Sequence, residues 1–194
     1  MSVRIARIFN TYGPRMRVDD GRAIPAFFKA ALQERPLQIH SDGRQTRSLC
    51  YVDDLIEGFL QLLLSAHDGP MNLGNPEEVS ILELAQSVQT VVGAETGIEF
   101  HPRPVDDPQV RRPDTTLAEQ VLGWKPQIAL VEGLQRTLPW FESEVRGSRG
   151  EIGDLAAIPV AVLQGEWHTH PPSDFLTGIR TADREDITAK DSAA

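Results

Sequence analysis

Three polar side chains, Asn10, Thr11 and Tyr12, stand in a row immediately before Gly13-Pro14. All three can hydrogen-bond. They follow Val3 to Phe9, a stretch of β-branched and aromatic residues whose types suit a pleated, buried strand. Pro14 removes a backbone donor and biases Tyr12-Gly13 into a turn. A strand that ends in a polar cluster and a rigid turn is how α/β proteins present ligand groups at the carboxyl edge of a sheet. A buried strand followed by an ordinary loop is the alternative of equal weight.

A second group is basic. Arg47 closes the run Gly43-Arg44-Gln45-Thr46-Arg47, just after a turn, and Arg111 and Arg112 lie in a proline-rich, charged loop. Arginine forks hold phosphate oxygens bidentately, which suits a phosphorylated ligand. Surface pairing with Asp106, Asp107 or Asp114 is the simpler account of the same residues. His168-Thr169-His170 could supply two metal ligands, but no third accompanies them. His40, His67 and His101 are scattered along the chain. Cys50, between Leu49 and Tyr51, reads as a small buried side chain and not as a nucleophile. The sequence contains no G-x-x-x-x-G-K-[ST] loop, no G-x-G-x-x-G fingerprint and no Tyr-x-x-x-Lys.

The elements that must position these groups alternate between strand and helix. Periodicity predicts a helix over Arg22–Gln33, with Pro25 tolerable in its first turn. Short strands follow at Leu37–His40 and Arg47–Val52. The clearest helix is Asp53–Ser65, with Asp53 as its N-cap. Met71–Leu73 is a brief strand, and Ser80-Ile81-Leu82-Glu83 matches a capping box that opens a helix stopped by Gly93. Ile98–His101 is a strand, Thr115–Leu122 a short helix closed by Gly123, and Leu130–Val145 a last helix that Pro139 should kink or break. From residue 147 onward glycines interrupt the chain and no period persists. That segment reads as a poorly structured tail, which holds four Lys/Arg and eight Asp/Glu.

The 194 residues suit one domain, or one domain with a tail. The net charge of −9 argues against a general nucleic-acid surface but allows a local basic pocket. No apolar run reaches membrane-spanning length. One cysteine excludes an internal disulfide. With no apolar leader after Met1, a cytoplasmic location is the default.

Taken together, the motifs resemble the C-terminal part of an extended short-chain dehydrogenase/reductase of the NAD-dependent epimerase/dehydratase family. The carrying residues are R-I-F-N-T-Y-G-P-R-M (Arg7–Met16), D-G-R (Asp20–Arg22), Q-T-R-S (Gln45–Ser48), Y-V-D-D-L (Tyr51–Leu55), N-L-G-N-P-E-E (Asn72–Glu78), D-D-P-Q-V-R-R-P-D (Asp106–Asp114) and L-G-W-K-P (Leu122–Pro126). The third-last and second-last of these point most narrowly to the UDP-glucuronate decarboxylases, which make UDP-xylose. The resemblance covers about residues 2–145 and implies an α/β fold: the last Rossmann strands plus a smaller sugar-nucleotide-binding part, over residues 1–146. It implies NAD-dependent oxidation of the sugar C4 hydroxyl, loss of the carboxylate as CO2, and return of the hydride.

By the same resemblance, Asn10 hydrogen-bonds the substrate near its diphosphate, and Arg22, Pro25, Gln38 and His40 line the nucleotide pocket. Arg47 and Arg111 hold the diphosphate or ribose, and Thr11 and Arg15 approach the cofactor. Tyr51, Arg112 and Asp114 are weaker carry-overs. The family's glycine-rich loop and its Tyr-x-x-x-Lys are missing from this sequence, so no catalytic residue is assigned. A portion of another nucleotide-sugar epimerase or dehydratase, or a non-catalytic binding module, stays open. The expected partner is a UDP-sugar, with a homodimer or a separately made N-terminal half as protein partners.

Overall fold

The computed structural model describes residues 2–102 and 112–147. Eight short strands and five helices follow one another in an α/β order. The strands are β1 (Ile5–Ile8), β2 (Thr11–Tyr12), β3 (Leu37–His40), β4 (Thr46–Ser48), β5 (Cys50–Tyr51), β6 (Pro70–Leu73), β7 (Glu78–Ser80) and β8 (Ile98–His101). The helices are α1 (Ala23–Leu32), α2 (Val52–Leu64), α3 (Ile81–Val92), α4 (Thr116–Leu122) and α5 (Leu130–Gly147).

The strands pair two by two. β1 runs parallel to β6 with Ile5 beside Pro70 and Ile8 beside Leu73. β2 runs parallel to β5, and β3 parallel to β8 with His40 beside His101. β4 and β7 are antiparallel, with Arg47 beside Val79. Parallel pairs need crossovers, and helices supply them: α2 lies between β5 and β6, and α3 between β7 and β8.

Two apolar clusters hold these pieces. The larger joins α1, α3 and α5 through Phe28, Leu84, Val88, Leu134 and Phe141, all fully buried. The Phe28 and Phe141 rings stack at 4.9 Å. The smaller packs α2 and α4 on β6 through Leu55, Leu62, Met71, Leu73, Ala118 and Trp124. Cys50 belongs to it and is buried.

Several local expectations hold. Ser80 Oγ accepts from the Glu83 backbone N at 3.1 Å while Glu83 Oε2 accepts from the Ser80 N at 2.9 Å, a complete capping box. Gly93 (φ 72°) and Gly123 (φ 66°) close α3 and α4 in the left-handed conformation that glycine adopts without strain.

Other expectations fail for identifiable reasons. The stretch Arg47–Val52 is not one strand. It breaks at Leu49, because β4 pairs with β7 while β5 pairs with β2 on another sheet. The N-cap of α2 is Tyr51, not Asp53, and no side chain caps it. Asp53 and Asp54 sit inside the first turn, where carboxylates face the positive end of the helix dipole. Pro139 does not break α5, which continues to Gly147. It lies on the exposed face, so the Gln135 carbonyl it leaves unpaired is open to water, while Leu134, Thr137, Phe141 and Val145 anchor the buried face. The tail expected from residue 147 lies outside the described residues beyond that position.

Candidate functional site

The polar cluster after β1 opens onto a cavity of about 760 Å³. Its walls come from β2, the start of α1, β3, β4 and the N-terminal turn of α3. Each element delivers its side chain by a simple rule. β3 alternates, so Leu37 and Ile39 point into the core while Gln38 and His40 point out and line the cavity. α1 turns Ile24 and Phe27 toward the same space and fixes Arg22 at its N-cap. β4 carries Arg47, whose Nη1 donates to the Thr46 carbonyl at 2.7 Å. Asn10 is held by its own carbonyl, which accepts from Cys50 N at 2.9 Å.

The electrostatics are one-sided. Arg22, Arg47 and His40 line the cavity and, among the described residues, no Asp or Glu does, although the chain carries a net charge of −9. The apolar floor, formed by Phe27, Leu49 and Leu84 among others, lowers the local dielectric and strengthens attraction for an anion. Such a cavity fits a ligand with an anionic centre and a flat or apolar part.

The structure therefore brings together Asn10, Thr11, Arg22, Gln38, His40 and Arg47. It keeps two others apart from the cavity wall. Pro25 is buried in the first turn of α1 and serves its packing. Arg15 is exposed with φ 68°, in the turn after Pro14. Arg111 lies outside the described residues, as do His168 and His170. Arg112 forms a 3.7 Å ion pair with Glu78. That is the surface pairing which competed with phosphate binding, though with a different acid. The Thr11 hydroxyl donates to the Phe9 carbonyl at 2.9 Å.

Sequence reasoning missed Gln45 and Met16 in the wall. Gln45 Nε2 donates to the His40 carbonyl at 2.7 Å and so ties β3 to the turn before β4. The signal was the Q-T-R-S motif itself, in which only the arginine was assigned a role. Two of the three scattered histidines come together: β3–β8 pairing sets the His40 and His101 rings 6.1 Å apart. No strand register can be read from positions so far apart in sequence.

Several motif residues prove to be structural. Trp124 Nε1 donates to the Asp54 carbonyl and Ile128 N to Asp54 Oδ2, both at 2.9 Å, so Asp54 anchors the segment that leads into α5. Asn72 Nδ2 donates to the Asp114 carbonyl at 2.8 Å. The Tyr12 hydroxyl donates to the Leu130 carbonyl at 3.2 Å, and a Cβ on Gly133 would lie 2.1 Å from that hydroxyl oxygen. Burial, followed by the Tyr51 charge, raises the Tyr12 hydroxyl far above its ordinary pKa, so it is a neutral donor and not a base. Cys50 is buried, and burial and then Asp54 push its thiol up to about 12, which disfavours the nucleophilic thiolate. Among the described residues no cluster of metal-binding side chains occurs, and no helix is long and apolar enough to cross a membrane.

Known proteins resemble this chain over most of its length. Residues 1–74 match the model of the NAD dependent epimerase/dehydratase family. UDP-glucuronic acid decarboxylase 2 of Arabidopsis thaliana is 48% identical over 157 residues, 81% of this chain and 35% of that protein. UDP-glucuronic acid decarboxylase 1 of Danio rerio is 46% identical over 145 residues, 75% of this chain and 35% of that protein. The chain thus spans about a third of the length of these curated relatives. A crystal structure of UDP-glucuronic acid 4-epimerase from Bacillus cereus, in complex with UDP-glucuronic acid and NAD, superposes with a TM-score of 0.67 at 30% identity, over 73% of this chain and 45% of that one. The described part of this chain therefore has the fold of part of a Rossmann-type epimerase or dehydratase, and its residues 1–74 match the NAD dependent epimerase/dehydratase family.

Proposed function

We propose that this chain supplies the substrate-binding part of a UDP-glucuronate decarboxylase, the enzyme that converts UDP-glucuronate to UDP-xylose and CO2. One observation carries the proposal. The cavity gathers Asn10, Arg22, Gln38, His40 and Arg47 around an opening that no carboxylate lines among the described residues, which suits a nucleoside diphosphate. The 44–49% identity to several decarboxylases points to the reaction class. Asn10 and Arg47 would bind the diphosphate, and Gln38 and His40 would face the base and ribose.

A bound NAD would supply the hydride chemistry, as acceptor and then donor toward the sugar. Of the residues expected near it, Thr11 lies at the cavity wall and Arg15 in the following turn, so these two would form only the rim of its site. The tyrosine and lysine that would move the C4 proton would come from a Tyr-x-x-x-Lys on a separate or longer chain. We place the protein in the cytoplasm, with a homodimer or such a second segment as its partner.

The second reading is a nucleotide-sugar 4-epimerase portion, favoured by the Bacillus cereus structure. Product analysis separates the two. The chain is mixed with a separately made N-terminal segment bearing Tyr-x-x-x-Lys, NAD and UDP-glucuronate. UDP-xylose with matching CO2 supports the decarboxylase, and a C4 epimer formed without CO2 supports the epimerase and overturns the proposal.

A further inference from the structure

The inference rests on the sugar-nucleotide reading of the cavity and concerns Asp20, a residue outside the cavity wall. Arg22 stands at the rim, directly before α1. Its backbone N donates to Asp20 Oδ1 at 2.9 Å and its Nε donates to Oδ2 at 2.7 Å, with Nη2 2.5 Å from the same oxygen. One carboxylate therefore fixes both the main chain and the side chain of the arginine. The Asp20 side chain keeps 15% of its exposure and that of Arg22 keeps 60%, so the acid is sunk and the guanidinium presented. Gly21, between them, adopts φ 79° and allows the tight return. Behind Arg22, Ile24, Phe27 and Phe28 seat α1 in the core and so anchor the backbone at the rim.

We propose that Asp20 is a positioning residue: it occupies the Nε–Nη2 edge of Arg22 and leaves the Nη1 donors facing an oxygen of the nucleoside diphosphate. A long side chain ordered in advance loses less freedom when a ligand binds. An exposed arginine held by nothing would forfeit that advantage. The role requires an ionised Asp20. Burial alone would raise its carboxyl pKa. The side-chain and backbone hydrogen bonds from Arg22, with the charges of Arg22 and Arg17, more than offset burial and hold it below the usual range.

Calorimetric titration of the 194-residue chain with UDP tests this. Asp20→Asn keeps an acceptor for the Arg22 backbone but loses the charge, and an unchanged melting curve shows that it folds. We expect it to weaken UDP about fivefold, the net worth of roughly one ordinary hydrogen bond. Arg22→Ala should weaken UDP at least as much, and the double variant no further than Arg22→Ala alone. Unchanged or tighter binding by Asp20→Asn, or losses that multiply in the double variant, overturns the proposal. A wild-type chain that gives no heat at millimolar UDP would instead remove the sugar-nucleotide reading. The positioning is then decided by the Arg22 Nε–H resonance. Slow exchange in the wild type, lost in Asp20→Asn, upholds it, and fast exchange in the wild type overturns it.

Discussion

The α1–α3–α5 region and the β1–β6–α2 region solve the same packing problem to different extents. In the first, three helices bury their apolar stripes against one another, and Phe28, Leu84, Val88, Leu134 and Phe141 have no exposure left. In the second, Met71 and Leu73 are equally buried, yet the neighbouring strand leaves Ile5 48% and Ile8 57% exposed. These two point to opposite faces of β1, and among the described residues β1 pairs with β6 alone. α2 repeats the pattern. Leu55 and Leu62 face inward, while Ile56, Leu60, Leu63 and Leu64 form an exposed stripe at helical spacing. One region is a finished core and the other is finished on one side. The candidate site borders the finished region: its walls are β2, the start of α1, β3, β4 and the start of α3. That is why the cavity can exist in this chain even though the family's catalytic tyrosine and lysine do not.

If the contrast is real, truncation should matter in one region and hardly at all in the other. The largest effect is expected for Phe141→Ala, which removes the ring stacked on Phe28. A loss of about 3–5 kcal/mol of unfolding free energy is expected in urea titrations. A change under about 1 kcal/mol there would mean that this core is loose.

Alkaline pH sharpens the contrast from the other side. The Cys50 thiol is raised from 9.0 to about 12 by burial and by Asp54. Below pH 9.0 it is neutral in both states and the native state keeps its full stability. As pH rises from there toward about 12, the unfolded chain ionises first and stability falls. The Tyr12 and Tyr51 hydroxyls are shifted in the same direction, burial being the main cause. The urea midpoint should hold steady through neutral pH and decline above pH 9.0, with a shallower onset in Cys50→Ala. A midpoint insensitive to alkali would contradict the burial of these groups.

The smallest effect on stability is expected for the double variant Leu60→Ser/Leu63→Ser, on the exposed stripe of α2. Its unfolding free energy should change by no more than about 0.5 kcal/mol per site. Its tendency to self-associate should drop in light scattering, because exposed contiguous apolar groups favour association. A large stability loss would show the stripe to be buried after all.

Much of this fold is legible from local signals. The capping box at Ser80, the glycines at 93 and 123 and the apolar spacing of α1 each act within a few residues, so sequence alone announces them. Pairing is not local. Nothing near Leu49 says that the chain leaves one sheet for another, and nothing near Glu78 announces a strand, because β7 exists only through β4. The site divides in the same way. Gln38 and His40 follow from strand alternation and Arg47 from its motif. The place of Pro25 in the core and of Arg15 in an exposed turn depends on how α1 and the turn after Pro14 pack. The partnership of Asp20 with Arg22 was present in the D-G-R motif, but its geometry emerges only when Gly21 turns the chain back.

The central claim is that the finished region holds a sugar-nucleotide site on its own. Calorimetric titration of the purified 194-residue chain with UDP tests it most directly, with Arg47→Ala as the paired variant. The account predicts saturable heat that disappears in Arg47→Ala, while the variant's circular dichroism stays that of the parent. No heat at millimolar UDP, or heat unchanged by the substitution, would contradict it.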